Sequence, residues 1–151
     1  MPRVTEPLER HHKHCDELFA EAEATALDER WSEAAPLLAA FHEQLERHFH
    51  TEESQLFPAF ESATGMKDGP TAMMRIEHKQ MHDLLAALAA AIAARDSDEF
   101  AGQAEALVIL MQQHNLKEEN ILYPMCDSHL ADKGSDLAER LREEIAGTSV
   151  A

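Results

Sequence analysis

Eleven residues of this chain occur twice in one pattern. Residues 48–58 read HFHTEESQLFP and residues 114–124 read HNLKEENILYP. Both follow H-x-x-x-E-E-x-x-L-aromatic-P, and the second copy lies 66 residues after the first (48 to 114). The same offset carries His12 onto His78. In each half 36 residues separate the first histidine from the second (12 to 48, 78 to 114). The chain therefore reads as two copies of one helix–loop–helix unit. Two copies are too few for a solenoid and suit a closed, pseudo-symmetric bundle.

What lies between the repeated residues favours helix throughout. Alanine, leucine and glutamate dominate, and these are strong helix formers. There is one Tyr and one Trp, and few β-branched residues, so a sheet is not expected. Glycine and proline fall at the breaks: Gly65, Gly69-Pro70, Gly102, Gly134 and Gly147. The first helix is expected over about 7–27, with Leu8, His12, Cys15, Phe19, Ala22 and Ala26 as its inward seam. The second runs over about 33–61, with Leu38, Phe41, Leu45, His48 or Phe49, Glu52, Leu56 and Phe60 inward. Pro58 should kink or tighten its last turn. The third runs over about 70–95, from Pro70 at a favoured first position, with Met74, His78, Met81, Leu85, Leu88 and Ile92 inward. The fourth is capped by Ser97 or Asp98 and reaches about Met125. Its seam is Ala104, Leu107, Met111, His114, Glu118, Ile121 and Met125. A short last helix over about 135–146 carries Leu137, Leu141 and Ile145. Short loops make neighbouring helices antiparallel. The expected fold is all-α: an antiparallel up-down-up-down four-helix bundle over about 8–126 with a short extra C-terminal helix.

Composition narrows the function. At 151 residues the chain is expected to be one domain, residues 1–151. Its net charge of −16 repels nucleic acid and anionic lipid. The start, MPRVTEPLER, has no apolar core for a signal peptide. The longest apolar run, Leu84 to Ala94, is about half a membrane span. Cys15 and Cys126 make no disulfide framework. A soluble, cytoplasmic protein is expected.

The four seams turn His12, His48, Glu52, His78, His82, His114 and Glu118 inward. His82 joins because it stands four residues after His78 on the same face. His11 would also fit the first seam, with His14 beside it; the 66-residue offset favours His12. Two ionised carboxylates in an apolar interior cost several kcal/mol unless something neutralises them. Seven donors exceed one tetrahedral zinc, and a nitrogen-rich set does not suit calcium or magnesium. Imidazole with carboxylate suits iron or manganese. Five imidazoles, two bridging carboxylates and a solvent bridge would nearly fill two octahedral ions and leave one position open. An open position on a redox metal takes a small molecule such as O2. Ferritin-like bundles use Glu-x-x-His pairs and metalloproteases H-E-x-x-H; neither pattern is present. Tyr123 could approach the metals, but its counterpart is Phe57, which favours packing. Glu53 and Glu119 are expected at the surface or bonded to ligand imidazoles. His42, His50 and His129 are expected to stand outside the shell.

These residues resemble a hemerythrin-like, HHE cation-binding domain. The likeness rests on His12, on HFHTEE with His48 and Glu52, on EHKQMH with His78 and His82, and on HNLKEE with His114 and Glu118. The resemblance implies two Fe ions, oxo- or hydroxo-bridged, with two bridging carboxylates and reversible O2 binding at the open iron. In respiratory members the last carboxylate is an aspartate five residues after its histidine. Here Glu118 stands at four and Glu119 at five, and Glu118 matches Glu52 under the repeat. The expected function is oxygen binding, storage or sensing without turnover. The alternatives are a di-iron enzyme or stress protein handling peroxide or nitric oxide, and iron storage or iron donation for iron–sulfur repair.

Overall fold

The computed structural model describes residues 3–147, so the expected domain of residues 1–151 extends beyond the described part at both ends. Every regular element among the described residues is helical. α1 spans Glu6–Leu27, α2 Trp31–Thr51, α3 Phe57–Thr64, α4 Pro70–Ala94, α5 Ser97–Lys117, α6 Tyr123–His129 and α7 Gly134–Ala146. A π-helical turn, Glu52–Leu56, joins α2 to α3 without a break, and a second, Glu118–Leu122, joins α5 to α6. α1 packs on α2 and α5, and α4 packs on the same two, so the four long elements form a bundle. α7 lies against α1, α2 and the first π turn. None of the described helices is long and apolar enough to cross a membrane.

Local chemistry explains the element ends. Pro70 opens α4, where its missing N–H costs nothing. Gly65 ends α3 in the left-handed region at φ 75°, a conformation a glycine adopts freely. The cap of α5 is Asp96, whose carboxylate accepts from the Glu99 N–H at 3.1 Å, and not Ser97 or Asp98 as expected. The 3.6-residue pattern still reads as helix through all three, so only the bond itself separates them.

The turn before Pro58, expected to kink or tighten, is widened, and so is the turn before Pro124. The Phe57 N–H reaches back to the Glu52 carbonyl, and the Tyr123 N–H to the Glu118 carbonyl, each a five-residue span. A proline offers no N–H to the turn before it, and the wider turn takes up the mismatch. The two π turns stand at equivalent places in the repeat, 66 residues apart (52 to 118).

Two apolar clusters fill the interior. One gathers Phe19, Phe41, Phe49, Leu85, Phe100 and Leu107 with their neighbours. The other gathers Leu8, Phe57, Phe60, Leu122, Tyr123 and Leu141 with theirs. The inward histidines and glutamates gather near the boundary between the two. On α1, His12 stands between Leu8 of one cluster and Cys15 of the other; on α4, His78 stands between Met74 and Met81. The core is thus a sandwich with a polar layer at mid-height.

Candidate metal centre

Six of the seven expected donors meet in that layer. His12, His48, Glu52, His78, His114 and Glu118 are all buried. Their donor atoms form two groups, each within 4.8 Å: His12, His48 and Glu118, and Glu52, His78, His114 and Glu118. Glu118 belongs to both. Its Oε1 stands 3.0 Å from His12 Nε2 and 3.4 Å from His114 Nε2. Glu52 also spans the gap, with Oε1 3.1 Å from His78 Nε2 and Oε2 3.6 Å from His48 Nε2. Each carboxylate therefore lies between one histidine of the first half and one of the second.

His82 does not join them. Its side chain is 41% exposed, and its Nδ1 meets Glu46 Oε1 at 2.7 Å. Together with His42, whose Nε2 lies 3.1 Å from the same oxygen, it makes a separate surface cluster across α2 and α4. Phe49 explains the exclusion. Its ring stacks on His78 at 3.9 Å and stands edge-on to His82 at 6.0 Å and to His114 at 6.3 Å. The space a fifth imidazole would need is filled by a phenyl ring.

Every inward histidine is held from behind. His12 Nδ1 donates to Glu119 at 2.6 Å, and His78 Nδ1 to Glu53 at 2.6 Å. His114 Nδ1 donates to the buried Glu77 at 2.9 Å, which also pairs with Lys117. His48 Nδ1 faces His11 Nδ1 at 3.0 Å, and His11 Nε2 donates to Gln44 Oε1 at 3.0 Å. With that proton given to Gln44, His11 Nδ1 accepts from His48. All four inward rings then keep their Nδ1 proton and turn the Nε2 atom to the centre, where a metal would take the place of any proton it carries. His11 is thus the partner of a site histidine, and His14 is exposed.

Tyr123, for which the pairing with Phe57 favoured packing over an approach to the metals, reaches the layer as well. Its hydroxyl lies 2.7 Å from Glu52 Oε2, 3.1 Å from Glu118 Oε1, 3.3 Å from His12 Nε2 and 3.4 Å from His48 Nε2. The π turn puts it there. Five residues along an α-helix end well off the starting face, whereas a turn closed by i→i+5 bonds needs roughly one residue more and brings position 123 back beside 118. The same slip moves the seam: Leu122 and Cys126 are buried, while Ile121 is 55% exposed and Met125 only partly covered. The repeat held the signal, since Leu56 and Phe60 map onto Leu122 and Cys126.

Charge in the layer is redistributed by its own groups. Burial works against the charged form of His12, but Glu118 and Glu52 outweigh it and raise the ring to about 9. His78 is likewise raised to about 9 against its burial, by Glu52 and Glu53. Burial would raise Glu52, yet His48, Glu118 and His78 hold it well below the usual range. Burial, then the charges of Glu118 and Glu52, push the Tyr123 phenol well above its ordinary value. Burial lowers His11 to about 4, with His48 adding to it, so the ring behind His48 is neutral near pH 7.

Four buried atoms nevertheless have no hydrogen-bond partner: Glu52 Oε1, His78 Nε2, His114 Nε2 and Glu118 Oε2. They belong to the four residues of one donor group. Buried polar groups are rarely left so, and a cation would satisfy all four. The donor set therefore fits a transition metal, with imidazole nitrogens and carboxylate oxygens aimed at a common centre and each ring oriented from behind.

Residues 3–126 match the family model described as the hemerythrin HHE cation-binding domain. No curated protein and no solved structure gave a match.

Proposed function

The chain belongs to the hemerythrin HHE cation-binding domain family, and we propose that it is a non-haem di-iron protein that takes O2 or a related small ligand at one of its two irons. In this reading His12 and His48 would hold one iron, His78 and His114 would hold the other, and Glu52 and Glu118 would serve both. The four long helices surround the pair as an antiparallel up-down-up-down bundle. The observation that carries the reading is the convergence of four buried, unpartnered donor atoms beside a second donor group that shares Glu118.

Bound iron would supply redox chemistry and an open coordination position. The rest is the work of the chain. Glu119, Glu53 and Glu77 accept the Nδ1 protons of His12, His78 and His114 and fix each ring's orientation. Phe49 and Phe57 stack over His78 and keep that side of the layer apolar. An apolar surround disfavours a charged ligand and suits a small uncharged one. With His82 turned away to Glu46, each iron would be held by two imidazoles and the two shared carboxylates.

The test is spectroscopic. The protein is reduced and loaded with ferrous iron without oxygen, O2 is admitted, and the visible spectrum is followed while O2 is removed again. A band that comes and goes with O2 is the expected result. One-way oxidation with catalytic loss of added peroxide would favour the enzyme alternative. No response to O2, nitric oxide or peroxide from iron-loaded protein would overturn the reading.

A further inference from the structure

We propose that Tyr123 is itself a metal donor: its phenol oxygen joins His12, His48, Glu52 and Glu118 around one iron and closes that iron to outside ligands. The inference rests on the di-iron reading and deepens it.

The Tyr123 oxygen is within 3.4 Å of four donor atoms, contributed by α1, α2 and the two π turns. A phenol has one proton and can donate one hydrogen bond. Glu52 at 2.7 Å uses it, and three further donor atoms crowd the same oxygen. Neighbouring donors of an octahedral shell about 2.1 Å in radius lie about 3.0 Å apart. The separations from the Tyr123 oxygen, 2.7 to 3.4 Å, bracket that value. Within the four, His12 Nε2 and Glu118 Oε1 are 3.0 Å apart, and His48 Nε2 and Glu52 Oε2 3.6 Å. The phenol oxygen thus sits as an apex over two adjacent donor pairs. On binding, its O–H bond breaks, the proton leaves to solvent, and the oxygen–metal bond takes its place.

The repeat makes this donor one-sided. The position equivalent to Tyr123 is Phe57, which stacks on His78 at 5.9 Å and offers no donor. The iron at His12 and His48 gains an anionic oxygen, and the iron at His78 and His114 keeps its vacancy. A tyrosine therefore makes the two halves unequal.

The chain contains one tyrosine, so any tyrosinate signal belongs to Tyr123. Iron-loaded ferric protein is examined by visible absorption and resonance Raman, with iron per chain counted in the same sample. The expected result is a phenolate-to-ferric charge-transfer band with enhanced tyrosinate ring vibrations that shift when the protein is grown on ring-deuterated tyrosine. Tyr123→Phe should lose both and still hold iron. Two irons per chain without those vibrations would overturn this inference and leave the di-iron reading standing. Wild-type protein that takes up no iron would overturn both. The wild-type isotope shift decides the matter even where the variant does not fold.

Discussion

His11 and Glu77 occupy the same place in the two halves of the repeat, 66 residues apart, one behind His48 at 3.0 Å and the other behind His114 at 2.9 Å. His11 is a neutral ring whose own proton goes to Gln44. Glu77 is an acid whose burial, which would raise it, is outweighed by Lys117 and His114, so that it stays ionised. A carboxylate draws the Nδ1 proton harder and makes Nε2 a stronger donor. His114 is therefore the more basic ligand of the two.

Glu77→Gln should weaken iron retention by about 10- to 100-fold, the usual cost of losing such a partner. Competition with a graded chelator measures it. Retention equal to wild type would mean that the carboxylate behind His114 does not matter to the metal.

His82 and His78 share a helix face, yet only His78 enters the layer. His82→Ala should keep wild-type iron content, because His82 bonds Glu46 at the surface. His78→Ala should lose at least one iron per chain. Iron counted by mass spectrometry on both variants distinguishes the two, and a His82→Ala protein short of iron would return that residue to the shell.

The two failures of sequence reasoning at this centre have separate causes. The 66-residue repeat located His12, His48, Glu52, His78, His114 and Glu118, because an exact offset survives whatever the helices do locally. Periodicity alone admitted His82, since a face is a direction and says nothing about Phe49 standing in the way. The pairing with Phe57 favoured packing for Tyr123, and a 3.6-residue rule carried through a π turn comes out one residue wrong, which left Ile121 and Met125 on the seam in place of Leu122 and Cys126. The L-aromatic-P ending of both motifs marks that turn. His11 was legible as buried on α1, but its bond to His48 depends on how α1 and α2 meet, which no single-helix pattern contains.

A pH effect is expected away from the centre. Glu61, on α3, accepts from Arg75 at 2.5 Å and from the Thr71 hydroxyl at 2.6 Å, tying α3 to the start of α4. The Arg75 guanidinium holds its carboxyl below the ordinary 4.5. A carboxyl depressed on folding stabilises the protein above the unfolded value and loses that contribution as pH falls through the folded one. Glu61→Gln should be less stable than wild type at pH 7 by about 1 kcal/mol or less, as befits a partly exposed pair. The gap should close below about pH 4.5, where the unfolded wild-type carboxyl takes up its proton. Chemical denaturation at pH 7 and pH 3.5 checks this, and a gap that widens on acidification would contradict it.

The central claim is that two cations share one carboxylate, Glu118, which stands 3.0 Å from His12 and 3.4 Å from His114. The most direct measurement is an anaerobic ferrous titration of metal-free protein, with bound iron counted per chain for wild type and Glu118→Ala and helicity recorded for both. The account predicts two irons in the wild type, and at most one, weakly held, in the helical variant. A wild type that binds none, or a Glu118→Ala protein that still binds two tightly, would contradict it.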